Sequence, residues 1–105
     1  MNTIKTNKEI EFIIKNGILI NTSCINFFVI NPTNKINGNV AFIAGKKNGN
    51  AVWRTKSRRI LREVYRKLNI NKNYKILMIA NKNILLKDIN KIIKEVNSKL
   101  IKYKN

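Results

Sequence analysis

The sequence predicts an α+β fold, a two-layer sandwich in which helices pack against one sheet of about four strands. Two observations support this class. Apolar residues recur at helical spacing in three segments, and short runs of β-branched and aromatic residues lie between these segments. The chain has 105 residues, which suffices for a modest core, so residues 1–105 are expected to form a single domain.

The first half of the chain predicts one helix and three strands. Thr6 and Glu9 have the spacing of a capping box ahead of a helix over Asn7–Asn16, and Gly17 is expected to end that helix. Strands are predicted at residues 18–20, 25–31 and 40–44. Because residues 31–39 are rich in turn formers, the last two strands are predicted to form an antiparallel hairpin with a long loop.

The second half predicts a long helix, a strand and a terminal helix. Asn50 is an N-cap candidate for a helix over Ala51–Leu68, a segment without Gly or Pro. The apolar run Lys75–Ala80, bounded by Asn and Lys, is typical of a buried strand. A terminal helix is predicted from the helical spacing of Leu86, Ile89, Ile92, Ile93, Val96, Leu100 and Tyr103. The expected order is therefore α-β-β-β-α-β-α.

The charge balance points to a polyanionic partner. Lys and Arg number 22 against five acids, a formal charge of +17, and self-repulsion on this scale makes nucleic acid the leading partner class. An apolar fraction of 44% argues against a disordered polycation. Lys, Asn and Ile all have AT-rich codons, so genomic bias can explain part of the lysine excess. It does not explain the arginines, which all lie between Arg54 and Arg66.

The helix predicted over Ala51–Leu68 has two unlike faces when residues are placed about 100 degrees apart. One arc is suited to packing and carries Trp53, Ser57, Ile60, Leu61, Val64 and Leu68. The other carries an i, i+4 ladder of arginines, which are Arg54, Arg58, Arg62 and Arg66, with Arg59 and Thr55 beside them. A solvated face usually mixes both signs of charge, but here Glu63 is the only acid, which favours RNA or DNA contact over a solvated face.

Both the arginines of this helix and the loop KKNGN before it have groups that can bind phosphate. A guanidinium forms bidentate hydrogen bonds to phosphate and stacks on bases. In the loop, Gly49 lets backbone N–H groups approach an anion near the helix N-terminus, and Lys46 and Lys47 add point charges. Alone the loop is a weak signal, and together with the ladder it supports polyanion binding.

No catalytic or metal centre is predicted within the protein. The sequence has no histidine and only five scattered acids, so the usual general base and a two-metal carboxylate cluster are both missing. Cys24, the only cysteine, excludes an intrachain disulfide and is expected to be a buried small hydrophobe. Neither a signal peptide nor an apolar run long enough to cross a bilayer is visible, so a reducing cytosol is expected.

Residues 45–66, GKKNGNAVWRTKSRRILREVYR, resemble the signature of the protein subunit of bacterial-type ribonuclease P, approximately K-K-x-G-N-A-V-x-R-N-x-x-K-R-x-x-R-E. The matching residues are Lys46, Lys47, Gly49, Asn50, Ala51, Val52, Arg54, Arg59, Arg62 and Glu63. Arg58 replaces a lysine of the pattern. A weaker similarity, which includes the early segment EFIIKNG and the strand FFVI, extends over the whole chain.

The resemblance implies a fold and a division of labour. The implied fold is an α/β sandwich like domain 2 of ribosomal protein S5, with a left-handed crossover where general rules favour a right-handed one. The implied enzyme removes the 5′ leader of precursor tRNA, with its active site and Mg²⁺ on a catalytic RNA, in the cytoplasm or an organelle matrix. The protein itself is then expected to have no catalytic residue, no metal ligand and no membrane partner.

The resemblance also assigns two binding surfaces. The residues expected to contact the catalytic RNA are Lys46, Lys47, Asn50, Arg54, Lys56, Arg58, Arg59, Arg62 and Arg66. A cleft between the first helix and the sheet is expected to hold the single-stranded leader, lined by Ile10, Ile14, Asn26, Phe28 and Ile43. Phe28 has the alternative role of a core aromatic, and Trp53 and Tyr103 are expected to pack rather than to stack on RNA.

Two departures from the family pattern affect these surfaces. Thr55 and Lys56 stand where the family has Asn and Arg, and Ile10 and Ile14 stand where it often has aromatic residues that stack on bases. Altered RNA docking and looser leader contact are therefore expected. Two other functions stay open, namely a small ribosomal or chaperone-like RNA-binding protein and a stand-alone nuclease.

Overall fold

The structure is a computed structural model that describes residues 2–105. Its helices and strands are α1 (Asn7–Asn16), β1 (Ile18–Asn21), β2 (Ile25–Ile30), β3 (Val40–Ile43), α2 (Ala51–Leu68), β4 (Lys75–Ala80) and α3 (Ile89–Lys99). Short 3-10 helices are present at Lys46–Asn48, Ile84–Leu86 and Ile101–Tyr103. The predicted α+β class and the order α-β-β-β-α-β-α are confirmed.

The four strands form one sheet in the order β1-β2-β4-β3. β2 is antiparallel to both β1 and β4, whereas β3 is parallel to β4. The predicted hairpin of β2 and β3 is therefore wrong, because β4 lies between them. Ile76, Leu77 and Met78 of β4 are all fully buried, and successive residues of a strand point to opposite faces. β4 consequently needs cover on both faces and a neighbour on each side.

Each face of the sheet has its own core. On one face, Phe27 and Met78 belong to a large buried cluster with residues of α2 and α3. On the other face, Leu77 joins a smaller cluster with Ile13 of α1 and with Ile36 of the segment between β2 and β3. The two predicted layers are thus the sheet with α2 and α3, and α1 adds cover on the opposite face.

α2 begins, ends and packs as its sequence predicts. The Oδ1 atom of Asn50, the N-cap, accepts a hydrogen bond from the Trp53 backbone N–H at 2.9 Å. The helix ends at Asn69, whose φ of 54° is one that asparagine tolerates better than most residues. Its buried residues are Ser57, Leu61, Val64 and Leu68. α2 is the crossover between the parallel strands β3 and β4, and the left-handed sense of this crossover stays a prediction.

The C-terminal helix is shorter than predicted. Asp88 caps α3, since its Oδ1 accepts a hydrogen bond from the Asn90 backbone N–H at 3.0 Å, and the helix therefore begins after Leu86. Leu86 ends a 3-10 turn and is 85% exposed. Tyr103 lies in another such turn beyond α3 and packs edge-on against Tyr74, with ring centroids 5.1 Å apart. Tyr103 is thus a packing residue, as predicted.

The turn between β1 and β2 is fastened to α3. Ser23 donates from Oγ to Glu95 Oε1 at 2.5 Å and from its backbone N–H to Oε2 at 3.0 Å. Lys87 Nζ donates to Ser23 Oγ at 3.0 Å. These hydrogen bonds from Ser23 hold the pKa of Glu95 below its ordinary value of 4.5. Cys24, the next residue, is buried as predicted.

Glu95→Gln is expected to remove an acid-sensitive part of the stability. Folding lowers the pKa of Glu95, so its carboxylate contributes to the free energy of unfolding above the ordinary pKa of 4.5. That contribution is lost as the pH falls through the lower pKa of the folded state. Thermal unfolding should give a lower Tm for the variant at pH 7, and the deficit should shrink below about pH 4. Glu11→Gln, at an exposed site on α1, is the control. The same pH response in both variants would contradict this role of Glu95.

Candidate nucleic-acid interface

The outward face of α2 carries the predicted arginine ladder. The exposed arginines are Arg59, Arg62 and Arg66, and the partly exposed ones are Arg54 and Arg58. Thr55 and Lys56 are exposed on the N-terminal half of the same helix. Residues four apart rise about 6 Å along a helix axis, so the ladder forms a continuous strip of positive charge.

A single acid, Glu63, lies beside this strip. Its carboxylate accepts a hydrogen bond from Arg66 Nη2 at 3.0 Å and lies 3.6 Å from Lys67 Nζ. Both pairs are exposed, so each stabilises the fold by only about 0–1 kcal/mol. Within residues 2–105, no other arginine of α2 pairs with a carboxylate. Arg66 is therefore the arginine of the ladder whose charge is partly neutralised.

Arg62 is held by an aromatic ring instead of an acid. Its guanidinium carbon Cζ lies 5.4 Å from the centroid of the Phe42 ring, and that ring meets Tyr65 edge-on at 5.9 Å. An exposed cation–π contact contributes about 0.5–1 kcal/mol and leaves the charge intact. Burial raises the pKa of Tyr65 above its ordinary 10.0, so its hydroxyl stays a neutral donor. The ladder is thus graded in charge: Arg62 is held in place and keeps its full charge, whereas the charge of Arg66 is partly neutralised by Glu63.

The loop before α2 presents two lysines next to the helix N-terminus. Lys46 and Lys47 are exposed in a 3-10 turn, and the positive end of the α2 dipole adds to their charge. Asn50 is exposed and uses its side-chain oxygen as the helix cap, so its amide NH₂ is not needed for the cap. The residues predicted to bind the catalytic RNA therefore lie on one loop and on one face of the helix that follows it.

Gly49 has a packing role that its sequence context did not indicate. A Cβ at this position would lie 2.6 Å from carbon atoms of the Trp53 indole, well inside van der Waals contact. The φ of 178° is ordinary extended backbone, so the glycine is required by space and not by its backbone conformation. The Trp53 ring, packed against Gly49, thereby sets the path of the loop into α2.

The residues predicted to line a leader cleft lie on the opposite face of the sheet, beside α1. Ile10, Phe28 and Ile43 are partly buried against the smaller core. Asn26 is partly buried, and its Oδ1 accepts a weak hydrogen bond of 3.3 Å from a neighbouring asparagine amide. Ile14 is 46% exposed on α1. Phe28 thus packs against the core, as its alternative role predicts, and is partly accessible, while its contact with the leader stays a prediction.

The strand register adds two residues to this surface. Ile79 pairs with Asn26 on one side and with Ile43 on the other, so the three form a row across the sheet. Leu19 stands opposite Phe28 and is 49% exposed. Sequence reasoning missed Leu19 and Ile79 because their position follows from the strand order and not from any local pattern.

The chemical groups on both surfaces are guanidinium, ammonium, amide and apolar side chains, which can bind phosphates and bases. Among residues 2–105, no three His, Cys, Asp or Glu side chains come together in a way that could hold a metal ion. In the same part of the chain, no helix has the length and apolar character needed to cross a membrane.

Comparison with known proteins gives a consistent result. The family model of ribonuclease P matches residues 1–104. The ribonuclease P protein component of Natranaerobius thermophilus is 38% identical over 80 residues, which cover 74% of this chain and 69% of that protein. The RNase P protein of Staphylococcus aureus superposes with a TM-score of 0.79 at 25% identity, over 100% of this chain and 99% of that one. That of Thermotoga maritima shows the same fold, with a TM-score of 0.78 at 17% identity over 100% of both chains.

Gly49→Ala is expected to displace the Trp53 indole, because the new methyl group and the ring cannot occupy the same space. Overpacking of this kind costs about 1–3 kcal/mol, so the Tm should fall. The emission of Trp53, the only tryptophan, should shift as well. Gly45→Ala is the matched control, since a Cβ there meets nothing within 4 Å. Equal effects of the two substitutions would contradict the packing role of Gly49.

Proposed function

The chain belongs to the ribonuclease P protein family, and on that premise we propose that it binds the catalytic RNA of the enzyme and the 5′ leader of precursor tRNA. In this role it assists the metal-dependent 5′ maturation of tRNA by the RNA subunit. The observation that carries the proposal is the arginine ladder of α2 joined to the KKNGN loop, a cationic surface beside which Glu63 is the only acid of the helix.

Charge neutralisation is the main contribution that we assign to the protein. Catalytic RNA and precursor tRNA are both polyanions and repel each other. A small domain with a formal charge of +17 shields that repulsion and releases counterions from the phosphates that it contacts. The ladder and the loop are assigned to the catalytic RNA, where arginine offers bidentate hydrogen bonds in addition to charge.

We assign no chemical step to a protein side chain. The sequence has no histidine, and the acids in the described part of the chain form no ligand set that fits Mg²⁺. Mg²⁺ and the hydrolysis of the phosphodiester are placed on the RNA subunit, while the protein binds and orients. We expect this activity in the cytoplasm or in an organelle matrix.

The surface beside α1 is proposed to hold the single-stranded leader. Ile10, Phe28 and Ile43 offer an apolar floor, Ile14 an exposed edge and Asn26 a polar group. Single strands bind such surfaces with little sequence preference. The α1 face and the α2 face lie on opposite sides of the sheet, so the leader and the catalytic RNA can be bound at the same time.

Thr55 and Lys56 are proposed to weaken one part of the RNA contact. A threonine hydroxyl replaces the amide of the family pattern and offers fewer donors, and lysine lacks the bidentate geometry of arginine. Both side chains are exposed on the RNA-facing half of α2. A small ribosomal or chaperone-like RNA-binding protein is the alternative that would use the same surface, but the family match over residues 1–104 favours ribonuclease P.

The proposal is tested by adding the protein to a bacterial-type ribonuclease P RNA at low Mg²⁺ concentration. Stimulated cleavage of precursor tRNA at its mature 5′ end is expected, since the protein lowers the electrostatic cost of substrate binding. RNA binding without stimulation would favour the RNA-binding module instead. Cleavage by the protein without the RNA would identify a stand-alone nuclease.

The leader surface is tested by measuring how the reconstituted ribonucleoprotein binds precursor tRNA and mature tRNA. Ile14→Ser should weaken binding of leader-bearing substrate about threefold to tenfold, through the loss of apolar contact, and leave binding of mature tRNA unchanged. Ile101→Ser is the control, since Ile101 is an exposed aliphatic residue (74%) outside the proposed surfaces. An equal loss for both substrates would place Ile14 outside the leader contact.

Arg62→Ala should affect RNA binding more than Arg66→Ala. Arg62 is held in place by Phe42 and, among the described residues, is not paired with an acid. Its removal should cost about one phosphate contact, which reduces the slope of the logarithm of the RNA-binding constant against the logarithm of the salt concentration by about 0.7–0.9. Arg66 already shares its charge with Glu63, so its slope change should be smaller. Glu63→Gln should strengthen binding because it releases Arg66 and Lys67. Identical slopes for the two arginine variants would contradict a graded ladder.

A further inference from the structure

An apolar groove lies beside the N-terminal half of α2. It is lined by Trp53, Lys82, Asn83, Leu85 and Leu86. Leu86 is 85% exposed, the largest exposure among the large apolar residues of the described chain. Its turn is nevertheless anchored, because the Leu86 backbone N–H donates to the Asn83 carbonyl oxygen at 2.9 Å and Ile84, two residues earlier, is fully buried. The leucine is therefore presented to solvent by an ordered backbone.

Two residues of the groove carry polar atoms without a partner. The indole Nε1–H of Trp53 and the side-chain Oδ1 of Asn83 are shielded from water and make no hydrogen bond within residues 2–105. Such unpaired groups are uncommon in folded proteins. One is a donor and the other an acceptor, and the edge of a nucleobase carries both kinds of group. In the free protein both atoms are buried within residues that line the groove.

The groove adjoins the surface proposed for the catalytic RNA. Trp53 forms part of its wall and also packs against Gly49 of the KKNGN loop. Lys82, at its rim, is exposed and can meet a phosphate. A strand of RNA that contacts Lys46 and Lys47 can therefore continue into the groove.

We propose that the groove binds one unpaired nucleotide of the catalytic RNA, with the base packed against Leu86 and Trp53 and a phosphate near Lys82. This site rests on the proposed function, because it extends the same RNA interface beyond the arginine ladder. Apolar packing on a base releases no counterion, so the contribution of Leu86 differs from that of the arginines in its salt dependence.

The test measures binding of the full-length protein to a bacterial-type ribonuclease P RNA over a range of salt concentrations. Leu86→Ala should weaken binding about fivefold to tenfold, with the salt slope unchanged, and Leu86→Phe should keep or improve the affinity. Ile101→Ala is the matched control, an exposed aliphatic residue (74%) in a 3-10 turn at the other end of α2, and should bind like the parent. Equal Tm values for all variants show that the fold is intact.

Four outcomes separate this site from its alternatives. If the parent protein does not bind the RNA, the proposed function fails; if it binds and Leu86→Ala binds equally well, only the nucleotide site is overturned. A photoreactive benzoylphenylalanine at position 86 should crosslink to the RNA, and the same group at position 101 should not. A dimer of the free protein that Leu86→Ala dissociates would assign the groove to a second copy and overturn the proposal.

Discussion

The burial of β4 on both faces is the constraint from which the rest of the structure follows. Ile76, Leu77 and Met78 are shielded only if β4 has a strand on each side and helices on both faces. β2 fills one side in antiparallel fashion and β3 fills the other in parallel fashion. A parallel neighbour requires a long crossover, and α2 is that crossover. Its packing arc is thereby fixed on the sheet and its arginines face outward, so the cationic surface is a consequence of how one strand is buried.

Features that depend on consecutive residues were predictable. The bounds of α2, its cap at Asn50 and its two arcs all follow from local spacing. The strand pairing was not predictable in this way, because Asn26 and Ile79 become neighbours only once β4 lies between β2 and β3. Leu86 fits the helical period of the last segment, but the cap formed by Asp88 decides where that helix begins. The contact of Arg62 with Phe42 likewise joins two elements that no local pattern connects.

The two ways in which the ladder arginines are held have different effects on a polyanion. An acid orients an arginine but competes with phosphate for it, as Glu63 does at Arg66. An aromatic ring orients a guanidinium and leaves its N–H donors available, as Phe42 does at Arg62. The arginines along α2 repel one another, which destabilises the folded protein. Burial of Leu61, Val64 and Leu68 on the opposite face of the helix offsets this cost.

The core is divided into two clusters of unequal size, one on each face of the sheet. α1 rests on the smaller cluster around Ile13 and Leu77, whereas α2 and α3 share the larger one. Segments with fewer buried contacts open more often, and their amide hydrogens exchange sooner with solvent. α1 is therefore expected to open more often than α2. On the proposed function, the leader surface would then be renewed while the arginine face of α2 stays packed on the sheet.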